Sequence, residues 1–208
     1  MIVLLDNGHG GLINGEYQTP GKRKDWDNDG IIYEGEFNRA IVNGIIEQLT
    51  FLKIPYVNIA PEYRDVTLKT RVKRANAYPA RKSVYISVHS NAGGGIGSEI
   101  YTSIKPTKSD AIATIFGEEY QNEFPDIKLR TDFDSDNDLD KEANFYVLRN
   151  TKMPAILTEN FFMDNLDEFS SILNVREGRK RIIDYHVKAI LRARTEIFSE
   201  TSILNFKP

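Results

Sequence analysis

The chain contains no cysteine. Disulfides, thiolate zinc sites and thiol nucleophiles are excluded together, so any transition metal must be held by histidine and carboxylates. Histidine is scarce too, with only His9, His89 and His186 in 208 residues. No apolar run approaches the roughly 20 residues that a helix needs to cross a bilayer, so membrane insertion is not expected. The apolar start Ile2–Leu5 has no basic stretch before it and Asp6 directly after it. It does not read as a secretion signal, and a cytoplasmic start is expected. An excess of one charge is also missing. The 27 Lys and Arg stand against 30 Asp and Glu, a net charge of -3 that gives no general attraction to nucleic acid or anionic lipid.

What remains is an ordinary globular composition, 40% hydrophobic and 27% charged, with no stretch that resembles a linker. Ile2–Leu5 is a β-type run closed by the glycine-rich "DNGHGG". Apolar residues at 37, 40, 41, 45, 49 and 52 follow a helical period. "PYVNIA" predicts a strand, "TLKTRVKRANAY" a helix, "SVYISVH" a second buried strand and "SEIYTSI" another. A helix is expected over 109–124 and a charged surface loop over 126–142. "FYVLR" and "PAILTE" read as the last strands, and the C-terminal third as helical. Alternating strands and helices predict a single α/β domain, a mostly parallel twisted sheet of about six strands with helices on both faces.

In such sheets ligands bind beyond the carboxyl ends of the strands. Three apolar runs end at chemistry-bearing groups: the first leads to His9, the second ends at His89, and "PAILTE" ends at Glu159. As parallel neighbours they would bring the three side chains to one rim. His186, inside the last predicted helix with no glycine turn beside it, reads as a hydrogen-bonded core residue. Two histidines and one carboxylate with an open fourth position form the pattern of catalytic zinc, so a carboxylate ligand is needed as well.

Four blocks in order resemble the zinc-dependent N-acetylmuramoyl-L-alanine amidases, the family of bacterial cell-separation amidases and many phage endolysins. They are "LLDNGHGG", "EGEFN", "ISVHSNAGGGIGSEIY" and "MPAILTENFFMDN". The resemblance implies zinc held by His9, Glu34 and His89, with Glu34 rather than Glu36 as the carboxylate ligand, and Glu159 as the catalytic acid and base. It implies peptidoglycan as substrate, cut between the lactyl group of N-acetylmuramic acid and the first L-alanine of the stem peptide. On this reading residues 1–208 are one catalytic domain with an acidic insertion loop near 14–33. Asp6, Asn7 and Asn91 are expected to orient the histidines, and Tyr33, Trp26 and Phe161 are sugar-stacking or core aromatics. A stand-alone domain without a leader resembles a phage lysin, which accumulates in the cytoplasm before release to the wall; an exported domain trimmed of its leader would look the same.

A second metal pattern overlaps the first. Asp25, Asp27, Asp29, Gly30 and Glu36 match the calcium-loop spacing, with Ile31 at the position that ligates through its carbonyl. The residues before it, "TPGKRK", do not make the entering helix of a paired hand. Calcium bracing the segment that carries Glu34 is one reading, and a solvated acidic loop is the other. The later run "DFDSDNDLD" lacks the glycine and closing glutamate and reads as solvated. Two alternatives compete with the amidase: a calcium-binding wall-recognition module without catalysis, and a zinc carboxypeptidase-like peptidase.

Overall fold

The computed structural model describes residues 1–132 and 138–199. Strand β1 (Ile2–Asn7) is followed by two small hairpins, β2 (Leu12–Ile13) with β3 (Glu16–Tyr17) and β4 (Arg23–Asp25) with β5 (Ile31–Tyr33). Then come α1 (Glu34–Phe51), β6 (Tyr56–Asn58), α2 (Leu68–Ala75), β7 (Ser83–Asn91), β8 (Glu99–Thr102) and α3 (Lys108–Glu123). The chain continues through β9 (Lys141–Glu142), α4 (Tyr146–Asn150), β10 (Ala155–Phe162), α5 (Leu166–Glu168) and α6 (Arg176–Glu196). A π-helical turn, Phe169–Leu173, extends α5.

The main sheet has the order β6-β1-β7-β10-β8-β9. All neighbours are parallel except β10 and β8, so the sheet is mixed but mostly parallel. Its central strands read as continuous apolar runs because both faces are covered. Val3, Leu5, Val84, Ile86 and Val88 join α1, α3 and α6 in one core, through Phe37, Ile41, Ile45, Ile112, Phe116, Ile182 and Ile190. Leu4, Tyr85 and Leu157 point the other way and pack with Val72 of α2 and Val147 and Leu148 of α4. Alternation along each strand thus serves two cores, each buried aliphatic side chain contributing roughly 1.5–3 kcal/mol.

One predicted strand is a helix: "FYVLR" forms α4. Its aromatic and branched residues favour extended chain locally. Its buried Val147 and Leu148 are adjacent in sequence and both enter the second core, which a strand of alternating faces would not allow. The predicted loop over 126–142 contains β9, whose two residues add a parallel edge to β8. Part of the acidic run Asp132–Asp140 lies outside the described residues.

Helix ends are set locally. Thr107 and Asp110 form a capping box at the start of α3. Helix α1 has no side-chain cap, but Glu34 and Glu36 in its first turn suit the positive end of the helix dipole.

Candidate metal centre

The parallel order β1-β7-β10 places His9, His89 and Glu159 at neighbouring strand ends, and Glu159 is in register with His89. Glu34 comes from the first turn of α1 and is 2% exposed. Its Oε1 lies 3.1 Å from His9 Nε2 and 2.9 Å from His89 Nδ1. The two imidazoles meet edge to face, 5.0 Å between ring centres. One ligand atom from each of the three residues falls within 4.8 Å of the others.

Backbone close approach makes this possible. A Cβ on Gly8 would stand 2.0 Å from the His89 ring, and one on Gly35 would stand 1.8 Å from the Gly10 carbonyl oxygen. His9 itself adopts φ 68, a left-handed conformation costly for a side-chain-bearing residue. Arg71 holds that turn in place. Its guanidinium donates to the carbonyl oxygens of Asn7 at 2.8 Å and His9 at 3.2 Å, and to Asp6. Asp6 also accepts from the Tyr85 hydroxyl at 2.6 Å and the Ser87 hydroxyl at 3.0 Å. The expected role of Asp6, orienting a histidine, is therefore corrected: it anchors the arginine that clamps the loop.

Asn91 donates to Glu99 Oε2 at 2.6 Å, and neither Asn7 side-chain atom has a partner among the described residues, so these two do not orient the histidines directly. The groups that do support the site were not foreseen. Asn38 donates to the Gly8 carbonyl at 3.1 Å and approaches Glu34 Oε1 at 3.5 Å. Its place four residues after Glu34, on the same helical face, is the signal that finds it. Asn160 donates to the His89 carbonyl at 2.9 Å and to Thr158 Oγ1 at 3.1 Å. Beneath it, Tyr185 donates to Asn160 Oδ1 at 2.5 Å, and His186 Nε2 lies 3.0 Å from the Thr158 hydroxyl. His186 is fully buried and bonded at both nitrogens, as a core histidine should be.

Electrostatics divide the two carboxylates. Burial opposes ionisation of Glu34, but hydrogen bonds from His89 and His9 outweigh it and hold this carboxyl well below the usual range. Glu159 moves the other way: burial, reinforced by the charge of Glu34, raises its proton affinity well above that of an ordinary glutamate. Its Oε2 is enclosed and, among the described residues, without a hydrogen-bond partner. Two acids pushed apart in this manner, one in the first turn of α1 and one near the end of β10, are suited to different tasks.

The donor set fits zinc. Two imidazole nitrogens and one ionised carboxylate, supported by Asn38, Asn160 and the Arg71 clamp, form the borderline-soft combination that zinc takes.

The calcium-loop residues are not assembled in this way. Asp25 and Ile31 face each other across the β4-β5 hairpin, and Asp25 Oδ1 accepts the Asp27 amide at 2.9 Å. Glu36 Oε1 accepts the Leu12 amide at 2.6 Å. Asp25, Asp27, Asp29 and Glu36 form no common ligand cluster among the described residues. The pattern fails because its last member is drawn away by the β2 backbone. The aromatics resolve as well: Phe161 is fully buried, and Trp26 stacks on Phe169 at 5.8 Å while donating to the Met163 carbonyl. Tyr33 packs on Tyr17, ring centres 4.8 Å apart.

A family model described as N-acetylmuramoyl-L-alanine amidase matches residues 3–192. The chain belongs to the N-acetylmuramoyl-L-alanine amidase family. Among relatives, an endolysin of Bacillus phage SPP1 is 33% identical over 173 residues, covering 80% of this chain and 56% of that protein. The N-acetylmuramoyl-L-alanine amidase CwlM of Bacillus licheniformis is 40% identical over 103 residues, 50% of this chain and 37% of that one. The chain thus spans about half, or less, of the length of the curated relatives it matches. The N-acetylmuramoyl-L-alanine amidase of Clostridium difficile 630 shares the fold, with a TM-score of 0.75 at 24% identity over 94% of this chain and 97% of that one. Among the described residues no helix is long and apolar enough to cross a membrane.

Proposed function

We propose that this amidase-family chain hydrolyses the amide bond between the lactyl group of N-acetylmuramic acid and L-alanine in peptidoglycan. The observation that carries the reading is the convergence of His9, Glu34 and His89 ligand atoms within 4.8 Å, with Glu159 in register beside His89. His9 and His89 as neutral imidazoles, with ionised Glu34, would hold zinc. When bound, zinc supplies a Lewis acid for the scissile carbonyl and lowers the pKa of water.

Glu159 takes the proton of the attacking water as the C–O bond forms. It then delivers that proton to the departing nitrogen as the C–N bond breaks, which an amide requires because an unprotonated nitrogen leaves poorly. Asn38, Asn160 and Arg71 hold the ligand-bearing backbone still through both halves. A lysin-type role, acting on the wall after release, rests on the relation to the SPP1 phage endolysin.

Purified cell walls incubated with the zinc-loaded protein test the reading. The expected result is loss of turbidity with new muramic-acid lactyl ends and free L-alanine amino termini. Clearing that releases no L-alanine amino termini, or equal clearing by Glu159→Gln, would overturn it.

A further inference from the structure

The wall of the site on the far side of Glu159 from the histidines is built around one buried carboxylate. His89 pairs with Glu159 across β7 and β10, and Glu159 pairs with Glu99 across β10 and β8. Directly opposed residues turn their side chains to the same face, so the three stand in a row at the rim. Glu99 is 4% exposed, and both its oxygens are engaged. Oε1 accepts from Arg130 Nε and Lys141 Nζ, each at 2.9 Å, and Oε2 accepts from the Asn91 amide at 2.6 Å and the Tyr101 hydroxyl at 2.8 Å. Burial opposes ionisation of Glu99, but hydrogen bonds from Arg130, Lys141 and Tyr101 outweigh it and hold this carboxyl below the usual range. One negative charge is thus set against two positive ones, which leaves the cluster cationic.

Arg130 is fixed in place but not used up. Its backbone runs beside the start of β8, where its amide donates to the Ser98 carbonyl at 2.8 Å. Its guanidinium lies over the ring of the buried Phe162, 5.3 Å from the ring centre. Glu99 takes the Nε proton, and among the described residues no group accepts from either Nη. The side chain is 38% exposed, so this open edge of the fork is reachable. A guanidinium oriented by one carboxylate and one ring, with both Nη groups open, is a preformed receptor for a second carboxylate.

The sheet order indicates which half of the substrate meets it. Strands β1 and β7, which lead to His9 and His89, lie on one side of β10, and β8 lies on the other. Glu159, between them, serves the departing nitrogen, so the leaving peptide runs out over β8. The peptide is also the anionic half: its second residue, D-glutamate, is joined through its side chain and keeps a free α-carboxylate, whereas N-acetylated sugars are neutral. That carboxylate is two residues of extended chain, about 7 Å, from the scissile nitrogen. The Arg130 backbone stands two strand spacings, about 10 Å, from Glu159, and its side chain is directed back to Glu99.

We propose that Arg130 determines specificity in this site by binding, through its Nη groups, the α-carboxylate of the second stem-peptide residue. The inference rests on the amidase reading and adds to it a preference for the free acid over its carboxamide.

Calorimetry with the zinc-loaded full chain tests it, using L-alanyl-γ-D-glutamyl-L-lysine amide and the matching peptide in which the glutamate α-carboxylate is a carboxamide. The free acid is expected to bind about 10- to 100-fold more tightly, the range of a hydrogen-bonded charged pair. Arg130→Ala should bring the two peptides to equal affinity and Arg130→Lys should keep part of the difference, with zinc content unchanged in both. A purely structural role would weaken both peptides alike and leave their ratio as it was. Equal binding of the two peptides by the unaltered chain, or a ratio unmoved in Arg130→Ala, would overturn the proposal. If Arg130→Ala does not fold, the ratio in the unaltered chain and in Arg130→Lys decides. Cell walls cleared by a chain that shows no preference for the acid would overturn the proposal and leave the amidase reading intact. A preference that disappears with Arg130, in a chain that clears no walls, would support the carboxylate contact and remove the hydrolase instead.

Discussion

Glu34 and Glu36 sit two residues apart in one helical turn and have opposite fates. Glu34 is buried and meets two imidazoles that arrive from the ends of parallel strands. Glu36 is spent on the amide of Leu12, and the aspartates meant to join it remain in a hairpin turn. The first site is assembled by sheet register and by long-range clamps. The second rests on a spacing that works only when flanking helices bring both ends of the loop together. A local spacing pattern is therefore weaker evidence for a metal than convergence of separate elements on one rim.

The largest effect that sharpens this contrast should come from the acid above the rim. Glu159→Gln is expected to lower wall hydrolysis by about 10²–10⁴-fold while leaving zinc content unchanged, measured as rate and metal on the same sample. Loss of zinc in that variant would place Glu159 among the ligands instead. Next, Arg71→Ala should destabilise the fold by about 3–5 kcal/mol, because it leaves the buried Asp6 carboxylate without its counter-charge. Urea unfolding reads this out, and a loss below about 0.5 kcal/mol would contradict the clamp assigned to it.

The core beneath the rim adds a pH dependence. Burial lowers the His186 pKa to about 4 from an ordinary 6.5. Because the folded value is depressed, the unfolded chain binds more protons between these limits. Stability from this group is complete above pH 6.5 and lost as pH falls toward 4. The loss is on the order of 3 kcal/mol, and a His186→Asn variant should show a flatter stability profile over that window. An equally steep profile in the variant would assign the effect elsewhere. The smallest effect belongs to the unassembled loop. Asp27→Asn, which keeps a residue tolerant of the left-handed φ of 52 at this position, should shift stability by no more than about 0.5 kcal/mol, as exposed substitutions do; a large calcium-dependent change in melting temperature would revive the loop as a site.

Much of this was legible in the sequence. The runs ending at His9, His89 and Glu159 stood out because strands buried on both faces are continuously apolar, and the glycines after two of them mark close backbone approach. What the chain alone did not disclose depends on tertiary partners. Helix α4 was hidden because Phe145, Tyr146 and Val147 favour extended chain until the second core claims Val147 and Leu148 together. The full burial of Asp140 was hidden because alternating aspartates read the same whether one of them is solvated or enclosed. Arg71 lies on a different element from the loop it braces, with no spacing to betray it.

Metal analysis of the protein purified without added metal reaches the central claim most directly. The account predicts about one zinc per chain, lost in His89→Ala and Glu34→Gln but kept in Glu36→Gln. Zinc retained in full by Glu34→Gln, or lost in Glu36→Gln, would contradict it.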